Sequence, residues 1–458
     1  MSRGPSRIHF IGICGVAMSA LAIACKKAGY HVTGSDAGFF PPVSTNLEKN
    51  GVVFYPGWHV DKMNEHGTPE LVVVGNVASS TNPEWVYIQE QKIPYLSYPE
   101  FIAKYMVKSR SIVCAGTYGK TTTSALLSWI LTQSGMKPSY MFGGLAIDGF
   151  DSASIQQSNY SILEGDEYKS ARWDNRPKFT HYSTTHLLLT GVQWDHADVY
   201  PTEELYINAF RTLIKDIPSE GTIVACRDDK NIQKLLPSAS SRTILYGQEK
   251  GADFWYTDLL QSKTGLSFSI VHKKNSYSIT SPMLGVYQAA NITGAFAMAH
   301  TLGISDEDSI KYISSFNGLK RRLEKRFDGN ITIFDDIAHS PAKATSVLQT
   351  LRAIYSGKII AIFEPNTGNR KSQAVPSYDQ AFVAADDVII PQLTKIKKDS
   401  NDPEEIIDAD GLAGIIAKTH PNAHAIINDE EVLNYIQNTI ADGDVVVFLG
   451  SHGFRGMI

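Results

Sequence analysis

The stretch CAGTYGKTTTSALL, residues 114–127, decides the fold. It continues the apolar run SIVCAG and leads into TTSALLSWILTQSG, which has helical spacing and is ended by Gly135. A glycine-bearing turn between a buried strand and a helix is the place where a phosphate-binding loop forms, because backbone N–H groups and the helix N-terminus converge there. The general loop reads glycine, four residues, then Gly-Lys-Ser/Thr. Gly119, Lys120 and Thr121 complete that pattern, whereas Cys114 stands where its first glycine would be. The N–H groups of residues 116–121 are expected to converge on a phosphate. Lys120 would bring a point charge to the β- and γ-phosphates, and the Thr121 hydroxyl would offer oxygen to Mg2+. A tight strand–helix turn with no ligand is the alternative for the same residues.

Outward from the loop, the chain repeats one pattern three times. RIHFIGICG, HVTGSD, ELVVVGN and IPYLS read as strands separated by amphipathic stretches, the first being VAMSALAIACKKAGY. After KYMVKSRS the pattern restarts with SIVCAG and goes on through YSILEGD, HLLLTGV, GTIVAC and RTILYG. Residues 253–283 alternate polar and apolar, as a small antiparallel patch does, and QAANITGAFAMAHTLG is helical. The third start runs through ITIFDD, KIIAIFEP, DDVIIP, AHAIIN and DVVVFLG. Short apolar, β-branched runs alternating with helices indicate parallel sheets covered by helices. The expected fold is therefore α/β in three domains, residues 1–109, 110–326 and 327–458.

Composition agrees with a large globular chain. The 458 residues are too many for one core, 43% are hydrophobic and 19% charged, and the net charge of −5 gives no basic surface for nucleic acid. The four cysteines, at 14, 25, 114 and 226, share no metal-binding or CxxC spacing, as expected of reduced thiols in a cytoplasmic protein. No apolar run of about 18 residues and no secretory h-region occurs, which argues against membrane spans and export.

Other strand ends carry chemistry. ILEGDEY closes one strand with Glu164, Asp166 and Glu167, and oxygen donors there could complete the coordination of Mg2+ begun by Thr121. WDHADVY places Asp195, His196 and Asp198 at the same expected edge, with His196 as a metal ligand or proton carrier. FNGLKRRLEKR, 316–326, is basic and reads either as a solvated linker helix or as the source of an arginine for a transferred phosphate. FDDIAHSP brings Asp336 and His339 to the first strand end of the third unit. Near the N-terminus, GICG lacks the G-x-G-x-x-G dinucleotide fingerprint, so the NAD signal is weak. The turn still suits a phosphate-bearing ligand, and Asp36 follows the second strand, where ribose or base contacts are made.

Taken together these residues resemble the Mur ligase family of ATP-dependent, amide-forming enzymes. AGTYGKTTT is similar to that family's variant phosphate loop, and ILEGDEY, WDHADVY, NITGA, FNGLKRR and DDIAHSP follow in the family's order. The resemblance implies a Rossmann-like N-terminal domain for a UDP-sugar, a central P-loop ATPase-like domain, and a Rossmann-like C-terminal domain for the ATP ribose side and an incoming peptide. It implies ATP and Mg2+ as cofactors and phosphorylation of a muramyl carboxylate to an acyl phosphate, which an amine then attacks. On this resemblance Lys120, Glu164, His196 and Arg322 are catalytic, and Thr121, Glu164 and His196 hold metal. Gly116, Thr117, Gly119, Lys120, Thr121, Thr122, Asn291, Arg322, Asp336 and His339 bind ATP. Gly12, Cys14, Gly15, Ser35, Asp36 and Asn76 bind the UDP-sugar.

Within the family, GDEYKSARWDNRPKFTHY and FEPNTGNRKS resemble the branch that joins L-Ala-γ-D-Glu-meso-diaminopimelate to UDP-N-acetylmuramate in peptidoglycan recycling. The implied partners are those two substrates, with no nucleic acid and no membrane span, in a monomer or homodimer. The alternatives are the branch that adds L-alanine in de novo synthesis, and a catalytically impaired nucleotide-binding homologue. Three departures are visible. Tyr287-Gln288 replace His-Asn ahead of Asn291, Ser340 replaces the second His of AHHP, and with nine residues after Leu449 a last helix seen in relatives is expected to be missing.

Overall fold

The structure is a computed structural model that describes residues 5–196, 199–394 and 406–458. Asp198 lies outside the described residues. Three sheets follow one another along the chain, as the threefold pattern implies, the first wholly parallel and the other two with antiparallel pairs as well.

The first sheet contains β1 (Arg7–Ile11), β2 (His31–Asp36), β3 (Val53–Pro56), β4 (Leu71–Val74) and β5 (Tyr95–Ser97) in the order β3-β2-β1-β4-β5, all pairs parallel. Val72, Val73 and Val74 are buried on both faces, the reason a parallel strand reads as a continuous apolar run. β3 was not foreseen, because four residues flanked by turns show no period.

The second sheet has ten strands. In chain order they are β6 (Arg110–Ala115), β7 (Ser139–Met141), β8 (Ala153–Ser154) and β9 (Tyr160–Gly165). A separate two-stranded piece, β10 (Lys169–Ala171) with β11 (Asp174–Pro177), follows. Then come β12 (His186–Leu189), β13 (Thr222–Cys226), β14 (Arg242–Gly247), β15 (Phe254–Ser262), β16 (Gly265–His272) and β17 (Asn275–Ser281). The order β17-β16-β15-β14-β13-β12-β6-β9-β7-β8 puts β6 between β9 and β12, both parallel to it. Cys114 thereby pairs with Glu164 on one side and Leu188 on the other.

The third sheet, β18 (Glu324–Asp328), β19 (Thr332–Asp336), β20 (Ile359–Glu364), β21 (Asp387–Ile390), β22 (Ala423–Ala425) and β23 (Val445–Gly450), runs β18-β19-β23-β20-β21-β22. The chain divides into two compact units. One holds the first sheet and most of the second; the other is residues 259–267, 281–287 and 317–458.

The basic stretch 316–326 is not a linker helix. Arg321 and Leu323 have φ of 57° and 50°, left-handed values that a helix cannot include, and the chain then enters β18, which pairs antiparallel with β19. The expected boundary between 326 and 327 falls inside β18. Arg321 donates to the carbonyls of Gly450, Ser451 and His452 and pairs with Asp335 at 3.3 Å, so this arginine ties the end of β23 to β19.

Candidate active site

The loop after β6 is shaped by two glycines. Gly116 has φ +138°, and a Cβ there would lie 2.3 Å from Thr190 Oγ1 and 2.7 Å from the Gly191 carbonyl. Gly119 has φ +80°, caps the helix Lys120–Gln133, and would place a Cβ 2.3 Å from Asn291 Oδ1. The turn therefore begins only after Ala115. Cys114, one residue earlier, is an interior strand residue whose thiol is pushed far up by burial, the Glu164 carboxylate adding to it. A glycine is not needed at that position.

Not every N–H of the loop is free to face a phosphate. Thr117 donates its N–H to the Gly191 carbonyl at 2.8 Å. Its hydroxyl donates to Gln193 O at 2.7 Å, receives Gln193 N–H at 2.8 Å, and lies 2.8 Å from Tyr206 Oη. Thr117 thus ties the loop to the segment after β12, which corrects its expected place in the cradle. Thr122 is buried in the helix's first turn. Asn291 donates to Gln288 Oε1 at 2.9 Å, so the departure at 288 supplies a partner that holds Asn291 against Gly119.

Lys120 leans onto Glu167. Its Nζ lies 3.1 Å from Oε1 and 3.0 Å from Oε2 of this fully buried carboxylate. Burial alone would lower the lysine's proton affinity, but Glu167, Asp166 and Glu164 together raise it, so the ammonium stays charged. His196 Nε2 stands 3.4 Å from the same Glu167 oxygen, and Tyr206 donates to it at 3.3 Å. The imidazole's proton affinity is raised by that Glu167 contact, against burial.

Thr121 donates to Glu164 Oε1 at 2.8 Å, and Glu164 Oε2 accepts the Gly143 N–H at 2.6 Å. A hydroxyl and a carboxylate side by side at a helix N-terminus are hard oxygen donors, and they fit Mg2+, which fills its remaining positions with water and phosphate oxygen. His196, a nitrogen donor, is turned toward Glu167. Among the described residues, no group of three or more His, Cys, Asp or Glu could hold a metal ion by itself.

Glu164 also lines a cavity of about 180 Å³. Its walls include Met18 of the helix Val16–Lys27, Gly75 and Asn76 just after β4, Asp166 just after β9, and Lys178 and Tyr182 between β11 and β12. Of the N-terminal candidates, Asn76 faces this cavity. Gly12 (φ +87°) carries the turn: its N–H donates to Ser35 O at 2.8 Å, and a Cβ would lie 2.6 Å from Val77 Cγ2. Cys14 and Ala37 donate their N–H groups to Asp36, at 2.8 and 2.7 Å, so this carboxylate shapes the loop. Ser35 is fully buried and its hydroxyl donates to Glu84. Gly15 caps the helix Val16–Lys27, and a Cβ there would meet only ordinary contacts near 3.7 Å.

In the second unit, Asp336 is buried at the end of β19 and accepts the N–H groups of Leu323 and Ala338 at 2.7 Å each. Burial raises its carboxyl to about 6, against those two N–H groups and the charge of Arg322. His339 Nδ1 bonds the Ile337 carbonyl at 2.7 Å and Nε2 lies 3.4 Å from Lys343 Nζ. Ser340 caps the helix Pro341–Arg352 through its backbone. Tyr206 and Lys178 were not singled out from the sequence. Glu167 was visible as the third acid of GDEY, but burial, not spacing, is what gives it Lys120 and His196.

Three family models match in chain order: the Mur ligase catalytic domain over residues 7–110, the Mur ligase middle domain over 114–299, and the Mur ligase glutamate ligase domain over 321–452. The chain belongs to the Mur ligase family. As a member it is an ATP-dependent ligase that forms an amide bond, and the family uses ATP with Mg2+. It is 31% identical over 452 residues to the UDP-N-acetylmuramate–L-alanyl-gamma-D-glutamyl-meso-2,6-diaminoheptandioate ligase of Escherichia coli, covering 95% of this Mur ligase and 98% of that protein. It is also 31% identical over 453 residues to the UDP-N-acetylmuramate–L-alanine ligase of Desulfitobacterium hafniense, covering 98% and 97%. A crystal structure of a murein peptide ligase from Psychrobacter arcticus superposes with a TM-score of 0.71 at 27% identity, covering 99% of this chain and 97% of that one.

Proposed function

We propose that this Mur ligase joins L-Ala-γ-D-Glu-meso-diaminopimelate to UDP-N-acetylmuramate in the cytoplasm, as a step of peptidoglycan recycling. The observation that carries the reading is the double position of Glu164. One of its oxygens accepts from Thr121 of the phosphate loop, and the same side chain forms a wall of the cavity shared by the first two sheets. A carboxylate bound in that cavity lies beside the terminal phosphate of a nucleotide in the loop. That neighbourhood is what transfer of a phosphoryl group to a carboxylate requires.

In this reading the sheet of residues 1–109 takes the UDP-sugar and the central sheet takes ATP. The third domain, with Asp336 and His339, takes the ribose side of ATP and the peptide, and Arg322 lies just ahead of it in the chain. Lys120 leaves Glu167 for the phosphates, and the backbone of Gly119 and the helix N-terminus orient them. Thr121 and Glu164 would hold Mg2+, which when bound neutralises phosphate charge. His196, paired with Glu167, keeps that carboxylate in place once Lys120 has moved. The peptide amine then attacks the activated carbonyl, forming the C–N bond as phosphate leaves.

The choice of acceptor rests on residues 163–182 and 363–372, since overall identity to relatives of the two kinds is equal. Incubation with ATP, Mg2+, UDP-N-acetylmuramate and tripeptide should release ADP. Release with L-alanine but not with tripeptide would move the assignment to the alanine-adding branch.

A further inference from the structure

The cavity beside Glu164 has a charge problem. Two carboxylates, Glu164 and Asp166, face it, and any donor acid brings a third negative group. Like charges in a partly dry site oppose one another unless a cation stands between them. Lys120 is not that cation: its ammonium rests on Glu167, the proposed reaction assigns it to the phosphates, and it is not among the cavity's lining residues. Among the described residues that line the cavity, Lys178 is the one lysine or arginine.

We propose that Lys178 binds the carboxylate of the donor acid. This rests on the reading of the cavity as the UDP-N-acetylmuramate site. Lys178 is well placed for the task. Its N–H donates to Tyr168 O at 3.2 Å, and the next residue, Phe179, donates to Asp166 O at 3.3 Å and is buried against Phe210, so the base of the side chain is fixed. Its Nζ lies 5.8 Å from the centre of the Tyr168 ring and rests on Asp166 Oδ2. The Lys178 side chain is only 17% exposed, so little side-chain freedom remains to be lost when a ligand arrives. Asp166 acts as a holder: it keeps the ammonium at the cavity wall, and one ammonium with three donors can keep Asp166 while accepting a second carboxylate. The two lysines thus divide the anionic ligands, Lys120 taking the phosphates and Lys178 the acid to be activated. Ser170, Tyr98 and Tyr182 line the same walls.

The test compares two ligands that differ only by the lactyl group and its carboxylate, UDP-N-acetylmuramate and UDP-N-acetylglucosamine. Their affinities are measured by calorimetry for the full-length wild type, Lys178→Met and Lys178→Arg. Removing a charged hydrogen bond should weaken UDP-N-acetylmuramate by roughly tenfold to a hundredfold in Lys178→Met. UDP-N-acetylglucosamine should change by less than about threefold, and Lys178→Arg should recover most of the loss. Equal weakening of both ligands, or of neither, overturns the proposal while leaving the donor site standing. Failure of the wild type to bind UDP-N-acetylmuramate overturns the donor reading itself, and this proposal with it. Tryptophan emission of each variant reports whether it has folded.

Discussion

Lys120 and Glu167 provide a sharp test of the site's construction, through the variants Lys120→Met, Glu167→Gln and both together. Glu167 is fully buried and Lys120 keeps 14% of its side chain exposed, with Nζ 3.0 Å from Oε2. At that separation and an effective dielectric constant of about 20, the attraction is about 5 kcal/mol. Partial exposure of Lys120, and the remaining charges of Asp166 and Glu164, reduce what one substitution removes. Each single variant leaves a desolvated charge without its counter-charge and should lower stability by roughly 3 kcal/mol. The double variant leaves neither. It should be more stable than the sum of the single losses predicts, by a coupling of about 2 kcal/mol or more. Urea denaturation followed by tryptophan emission is the assay. All six tryptophans, at 58, 85, 129, 173, 194 and 255, lie in the first compact unit, so the signal reports that unit alone. Additivity to within about 0.5 kcal/mol would refute the argument that a buried ion pair organises this site.

Three further outcomes follow from the geometry. Gly119→Ala combines a left-handed residue with a Cβ 2.3 Å from Asn291 Oδ1, so it should lose about 2 kcal/mol or more in urea denaturation and bind ATP more weakly; unchanged stability and binding would contradict the loop geometry. Glu164→Ala should abolish ADP release while ATP still binds in the absence of Mg2+, as equilibrium dialysis can show, because its carboxylate serves the metal and the cavity, not the loop's shape. Asp336, with its carboxyl raised to about 6 against about 3.9 unfolded, favours folding fully below pH ~4, and that contribution fades as pH rises through 6. The calorimetric midpoint of the wild type, relative to Asp336→Asn, should therefore fall between pH 4 and pH 7 by the equivalent of at most about 3 kcal/mol.

Much of this molecule was legible in its sequence because its sheets are parallel. Strands such as SIVCAG and DVVVFLG are buried on both faces, so they appear as unbroken apolar runs, and each ends where a site residue belongs. The loop Gly119-Lys120-Thr121 was legible for the same reason. Strands of two to four residues, such as β3, β8 and β10, leave no period to read. The basic stretch 316–326 misled as a helix because positive φ at Arg321 and Leu323 is set by contacts with β19 and β23, which are distant in sequence. Side-chain roles were the least legible. Nothing in the spacing tells that the Thr117 hydroxyl turns toward Gln193, that Ser35 serves Glu84, or that Glu167 gathers Lys120 and His196.

The central claim is that a donor carboxylate in the cavity at Glu164 receives a phosphoryl group from ATP in the adjoining loop. It is tested by following the donor's own oxygen. UDP-N-acetylmuramate labelled with 18O in its carboxylate is converted with ATP, Mg2+ and tripeptide, and the released inorganic phosphate is examined by mass spectrometry. Each phosphate should carry one oxygen from the donor carboxylate. Phosphate free of label, with the amide product formed, would contradict it.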